Sequence, residues 1–219
     1  MYGVAISSSS PAVAARCAHV RAETGAVATQ NLTDPRLGPR ALEGLMRGLD
    51  ANAVIKSVLG DAPFGVYRQL LVIGREGPPA VYSGAHALGV VGEARGKDAV
   101  SAGNLLARAD VPQAMIDAFE SHSGDFGSCL LAALRAGLAR GGEAIPVHSA
   151  GLAVVRDVAW PIVDLRVDWT EKDPIAELTK VYQVFAPQID DFVRRALEPT
   201  AAPEFSVPSE PGPTRPAKL

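Results

Sequence analysis

Runs of adjacent apolar side chains, more often than clean alternation, mark the extended segments of this chain. They fall at 2–7 (YGVAIS), 25–30 (GAVATQ), 67–74 (YRQLLVIG), 80–84 (AVYSG), 98–104 (DAVSAGN), 149–156 (SAGLAVVR) and 161–169 (PIVDLRVDW). Adjacent apolar residues in a strand imply a sheet covered on both faces. Between two of these runs, REGPP at 75–79 has the Gly and Pro of a tight reversal, which predicts a hairpin over 67–84. The strands at 2–7 and 25–30 are expected in one sheet.

Elsewhere apolar positions recur every three or four residues, the period of a helix with one buried face. Leu42, Leu45, Met46 and Leu49 form one such face within 35–49, and Val54, Ile55, Val58 and Leu59 form another within ANAVIKSVLG. A helix is predicted to open near Pro112, where a missing N–H costs nothing in the first turn. Phe126, Leu130, Leu134 and Leu138 predict the next, stopped by Gly141-Gly142. The stretch 174–197 repeats Ile175, Leu178, Tyr182, Phe185, Ile189 and Phe192, with Pro187 expected to kink or restart it. From 199 onward, six prolines in 21 residues and few large apolar side chains predict a tail without a packed core. The element order does not alternate strand and helix, so the expectation is one α+β domain over 1–198 and a Pro-rich, disordered tail over 199–219.

Composition narrows the partners. Hydrophobic residues make up 47% and charged residues 21%, as in ordinary globular proteins. A net charge of −3 and a pI near 5.8 leave no basic face for nucleic acid or anionic lipid. Cys17 and Cys129 lack the number and spacing of a disulfide framework or a metal site. No apolar run reaches the roughly 18 residues of a membrane span, and no signal-peptide pattern is visible. A cytoplasmic protein with a small-molecule substrate, no cofactor and no metal is the expectation, with a homo-oligomer left open.

The candidate chemistry gathers at strand ends. Four consecutive serines, Ser7 to Ser10, end the first strand and precede Pro11. Their hydroxyls can satisfy a turn, or Ser8 and Ser9 can face a polar cleft. A second strand runs into Thr29, Gln30 and Asn31, and Asp34-Pro35 then carries an N-cap signature. Such a turn can present backbone N–H groups to a developing oxyanion. Asn104 ends a third strand, where it can meet a substrate carbonyl or close a turn. Arg166 sits between Asp164 and Asp168 on one face of VDLRVDW. His19, His86, His122 and His148 are scattered without ligand spacing. VHSAG at 147–151 resembles a serine nucleophile elbow, but the strand-like GLAVVR after the serine rules it out, since an elbow requires a helix there.

The segments GVAISSSSPAVAARCAHVRAETGAVATQNLTDPRLGPRALEGL, YRQLLVIG, SAGNLL, HSAGLAVV and VDLRVDW resemble, in order, those of domain of unknown function 1028. The resemblance implies the N-terminal-nucleophile (Ntn) hydrolase superfamily and a four-layer αββα sandwich of two mostly antiparallel sheets. It also implies that YGVAIS corresponds to the family's second strand, with about ten residues of first strand missing before it. In Ntn hydrolases the nucleophile is the N-terminal Thr, Ser or Cys, whose α-amino group, with a pKa of about 8, can act as the base. Met1-Tyr2 offers no such residue. The expectation is therefore an amidohydrolase for a small C–N substrate, catalytically incomplete without that strand, with Ser8, Ser9, Thr29, Gln30, Asn31, Asn104 and Arg166 lining its site. The alternative is a non-catalytic Ntn-like scaffold that binds a metabolite or a partner.

Overall fold

A computed structural model describes residues 1–60 and 62–204. Nine strands form three antiparallel sheets among the described residues. The first sheet joins β1 (Tyr2–Ser8), β8 (Ser149–Val155) and β9 (Val163–Val167) in the order β1-β8-β9. The second joins β2 (Ala18–Arg21), β3 (Gly25–Asn31), β4 (Arg68–Gly74) and β5 (Ala80–Ser83) in sequence order. A separate hairpin pairs β6 (Val90–Arg95) with β7 (Val100–Leu106). The hairpin expected over 67–84 is β4–β5, with Gln69 opposite Ser83.

The expectation that 2–7 and 25–30 share a sheet is corrected: β1 and β3 belong to different sheets. A five-residue helix, α1 (Val13–Cys17), and β2 intervene and carry the chain across. The two strands meet through side chains instead of hydrogen bonds. Val4 and Ile6 pack with Ala26 and Ala28 in a buried cluster that also takes in Val13 and Cys17. The outer face of the second sheet, through Val27, Leu70 and Val72, is covered by α2 (Leu37–Met46) and α3 (Ala51–Gly60). The outer face of the first, through Leu152 and Val154, packs on α5 (Phe126–Ala139) and α6 (Pro174–Phe185). Covering on both faces is why β8 is buried at all seven positions and reads as an unbroken apolar run.

Helix α4 (Val111–Ser121) starts one residue before Pro112, which falls in its first turn as predicted, and lies against α5 and the β6–β7 hairpin. A short 3-10 turn at Ala186–Gln188 around Pro187 separates α6 from α7 (Ile189–Leu197), as the missing N–H requires. Asp34 does not cap a helix at Pro35: α2 begins at Leu37, and Asp34 Oδ1 accepts from Arg36 N at 3.1 Å in the preceding turn. Residues 199–204 contain turns but neither helix nor strand, and the rest of the predicted tail, 205–219, lies outside the described residues. No helix among the described residues is long and apolar enough to cross a membrane.

Candidate functional site

β1 ends in the serine run, and the hydroxyls there close a turn. Ser8 Oγ accepts from Ser10 N at 3.1 Å, while Ser9 N donates to Glu143 Oε2 at 3.2 Å. Ser149, wholly buried at the start of β8, donates to Ser10 O at 2.6 Å and accepts from Val13 N at 3.2 Å. The serine of VHSAG is thus a structural tie within a strand. Arg16 braces the same turn from α1, donating to Pro11 O at 2.8 Å and Ala12 O at 3.2 Å.

β3 ends beside this turn at Asn31, whose left-handed φ of 63° stops the strand. Its side chain donates to Tyr67 O at 2.6 Å and accepts from Leu88 N at 3.2 Å, joining two loops. Gln30 reaches the third strand end, donating to Ala102 O at 3.2 Å and to Gln69 Oε1 at 3.2 Å. Gln69 is fully buried and donates to Ser83 Oγ at 2.8 Å and Gly103 O at 3.2 Å, while Asn104 Nδ2 donates to its Oε1 at 3.3 Å. One glutamine therefore holds β4, β5 and β7 in a fixed relation.

These strand ends surround a cleft of about 440 Å3 lined by Ser8, Ser9, Gln30, Asn31 and Asn104, with Arg16, Arg68 and Glu143 at its charged positions. Thr29 does not line it: the residue is buried, and its hydroxyl donates to Arg16 O at 3.3 Å beneath the cleft. Arg166 is also elsewhere, because β9 stands two strands from β1 in its sheet. It lines a different groove with His19 and Arg21 and lies 3.6 Å from Asp164. Cys17 lines the cleft floor, but burial pushes its thiol pKa up and leaves a poor nucleophile. No group of three or more His, Cys, Asp or Glu among the described residues could hold a metal ion.

Arg16, Arg68 and Glu143 in the cleft, and the buried Gln69 beneath it, escape sequence reasoning. Gln69 leaves one trace, a polar residue interrupting an apolar strand. Arg68, next to it, gives none beyond its charge. Glu143 gives none either, since it meets Ser9 across 134 residues of chain.

The cleft opens into a slot between two strand edges. A cavity of about 420 Å3 is bounded by β1 from Tyr2 to Ile6 and by β7 from Val100 to Ala102, with Phe119 and Leu130 on one side and Ala26 and Ile73 on the other. It narrows to a pocket of about 80 Å3 between Ser7 and Gly103, then joins the cleft at Ile6, Ser7, Gln30 and Asn104. Among the described residues no strand pairs with β1 on this side, nor with β7.

None of the curated proteins matches this chain. Among solved structures, a crystal structure of a protein from Silicibacter pomeroyi, described as belonging to DUF1028, is similar in fold. It superposes with a TM-score of 0.80 at 26% identity, over 88% of this chain and 84% of that one. The family model for the family of unknown function DUF1028 matches residues 1–178, the span that contains the slot, the cleft and all three sheets. The chain belongs to the DUF1028 family.

Proposed function

We propose that the protein is an amidohydrolase of the Ntn type, a four-layer αββα sandwich in which an extended segment fills the slot between β1 and β7. The nucleophile is the first residue of that segment, and the cleft residues supply its surroundings. The observation that carries the reading is the slot itself: two strand edges walled by helices on one side and a sheet on the other. Strand edges left unpaired are a liability, and each of their groups cut off from water costs about 1–3 kcal/mol. An occupant that pairs both edges removes that cost and merges β9-β8-β1 with β7-β6.

Chain direction supports a position for the nucleophile. A segment that turns into Met1 and pairs antiparallel with β1 runs opposite to Tyr2–Ser8, so its first residue lies beside Ser8 at the cleft. There a Thr or Ser hydroxyl attacks the amide carbonyl, and the α-amino group of the same residue takes the hydroxyl proton. Asn104 Nδ2 keeps a second hydrogen after its bond to Gln69, and with the Gln30–Asn31 turn it can stabilise the oxyanion. The protonated α-amine gives its proton to the leaving nitrogen, the C–N bond breaks, and water then hydrolyses the acyl ester. The free thiols Cys17 and Cys129 support a reducing compartment such as the cytoplasm.

The test is to express the chain with the in-frame codons that precede Met1. The reading expects a Met followed by Thr or Ser, Met removal visible by intact mass, a higher melting temperature, and turnover on a small-amide panel. Replacing the new first residue by Ala then abolishes turnover and leaves the fold. An in-frame stop codon directly upstream favours the binding scaffold instead. Turnover by the chain that starts at Met1 would move the nucleophile to Ser8 or Ser9.

A further inference from the structure

The charges of the strand-end cleft exceed what a neutral amide needs. Two guanidiniums line it, Arg16 from α1 and Arg68 from the start of β4; among the described residues neither is within ion-pair distance of a carboxylate, though the charge of Arg68 reaches Asp34. Arg16 uses both Nη1 hydrogens on Pro11 O and Ala12 O and one Nη2 hydrogen on Ser10 Oγ, which fixes the guanidinium in place and leaves Nε–H and the second Nη2 hydrogen for a ligand. Arg68 donates through Nη1 to Leu32 O, yet its Nε is buried without any hydrogen-bond partner among the described residues. A buried N–H of an always-charged group without an acceptor is rare in folded proteins. The carboxylate lining the cleft, Glu143, accepts from Ser9 N on the serine turn.

We propose that this cleft binds a carboxylate, and that the substrate is an amide carrying one, held by Arg68 and Arg16. A planar guanidinium presents parallel N–H groups that match two carboxylate oxygens. Glu143 is positioned against a second anion, so a single negative charge fits better than two. The apolar Leu32 and Leu88 on the same wall suit the acyl portion. That the substrate is an amide rests on the hydrolase reading; that it carries a carboxylate does not.

N-acetylglycine and its neutral isostere N-acetylglycinamide, titrated into the 15N-labelled chain, separate the two claims because neither titration needs a nucleophile. N-acetylglycine is expected to shift the Arg68 Nε–H signal and the side-chain amides of Gln30 and Asn104, with a Kd at least tenfold below that of N-acetylglycinamide. Arg68→Gln is expected to remove that preference. Arg16→Gln, a second variant should Arg68 prove needed for folding, is expected to reduce it several-fold. Equal affinity for the two probes, or shifts that spare the cleft, would overturn the carboxylate site even if the extended chain hydrolyses amides. Preferential N-acetylglycine binding by a chain whose extended form hydrolyses no amide would uphold the site and reject the hydrolase.

Discussion

Gln69→Leu removes the centre of the polar network under the cleft while nearly preserving volume. Four hydrogen bonds disappear: to Ser83 Oγ at 2.8 Å, to Gly103 O at 3.2 Å, from Gln30 Nε2 at 3.2 Å and from Asn104 Nδ2 at 3.3 Å. The losses are unequal. Gln30 keeps Ala102 O, and Asn104 lines the cleft and can turn to water. Gly103 O and Ser83 Oγ, on half-buried residues, gain no partner from Leu, and an unpaired group cut off from water costs about 1–3 kcal/mol. Apolar burial of the new side chain returns about 1–2 kcal/mol. The expected net destabilisation is about 2–3 kcal/mol, or roughly 5–10 °C in melting temperature for a domain this size. Urea denaturation followed by tryptophan fluorescence measures it, and a cycle with Asn104→Ala measures the coupling, expected above about 0.5 kcal/mol. A loss below about 0.5 kcal/mol at unchanged m-value would refute the claim that Gln69 holds β4 to β7.

Ser149→Ala leaves Ser10 O and Val13 N without their shared partner, and the expected cost is about 2 kcal/mol in the same assay. Gly84→Ala places a Cβ 2.1 Å from Val66 O, a backbone atom, so the β5 end must move; a destabilisation of at least about 2 kcal/mol is expected by thermal melting. The Arg36 side chain beside Asp34 holds its carboxyl at about 2, below the ordinary value of about 4. A depressed folded-state pKa gives stability that is present above the unfolded value and is lost as pH falls through the folded one. Asp34→Asn is therefore expected to flatten the fall in urea midpoint between pH 4 and pH 2, and parallel slopes in the two proteins would contradict the pairing.

Much of the fold is legible because burial leaves a local signature. The all-buried β8 reads as an unbroken apolar run, and α3 is bounded where ANAVIKSVLG begins and ends. β2 escapes because four half-buried residues directly after α1 carry no period. β6 escapes because Gly92 sits at a register shift against β7, which breaks its alternation. Sheet membership is not legible either: β1 and β3 read alike as strands, and only packing of Val4 and Ile6 on Ala26 and Ala28 shows them stacked. At the cleft, polar residues after apolar runs point to Ser8, Ser9, Gln30, Asn31 and Asn104 as neighbours. The same logic fails for Arg166, because strand order within a sheet is a long-range property.

Hydrogen exchange along β1 tests the slot most directly. An antiparallel strand shares its N–H groups with one neighbour at alternate residues, so about half the amides over Tyr2–Ser8 face β8 and the rest face the slot. In the chain that starts at Met1, the slot-facing amides of β1 and those of β7 turned away from β6 are expected to exchange with little protection, while the β8-facing set is slow. Adding the proposed segment ahead of Met1 is expected to slow both fast sets together. Strong protection of both sets without any added segment, or no change when it is present, would contradict a strand between β1 and β7.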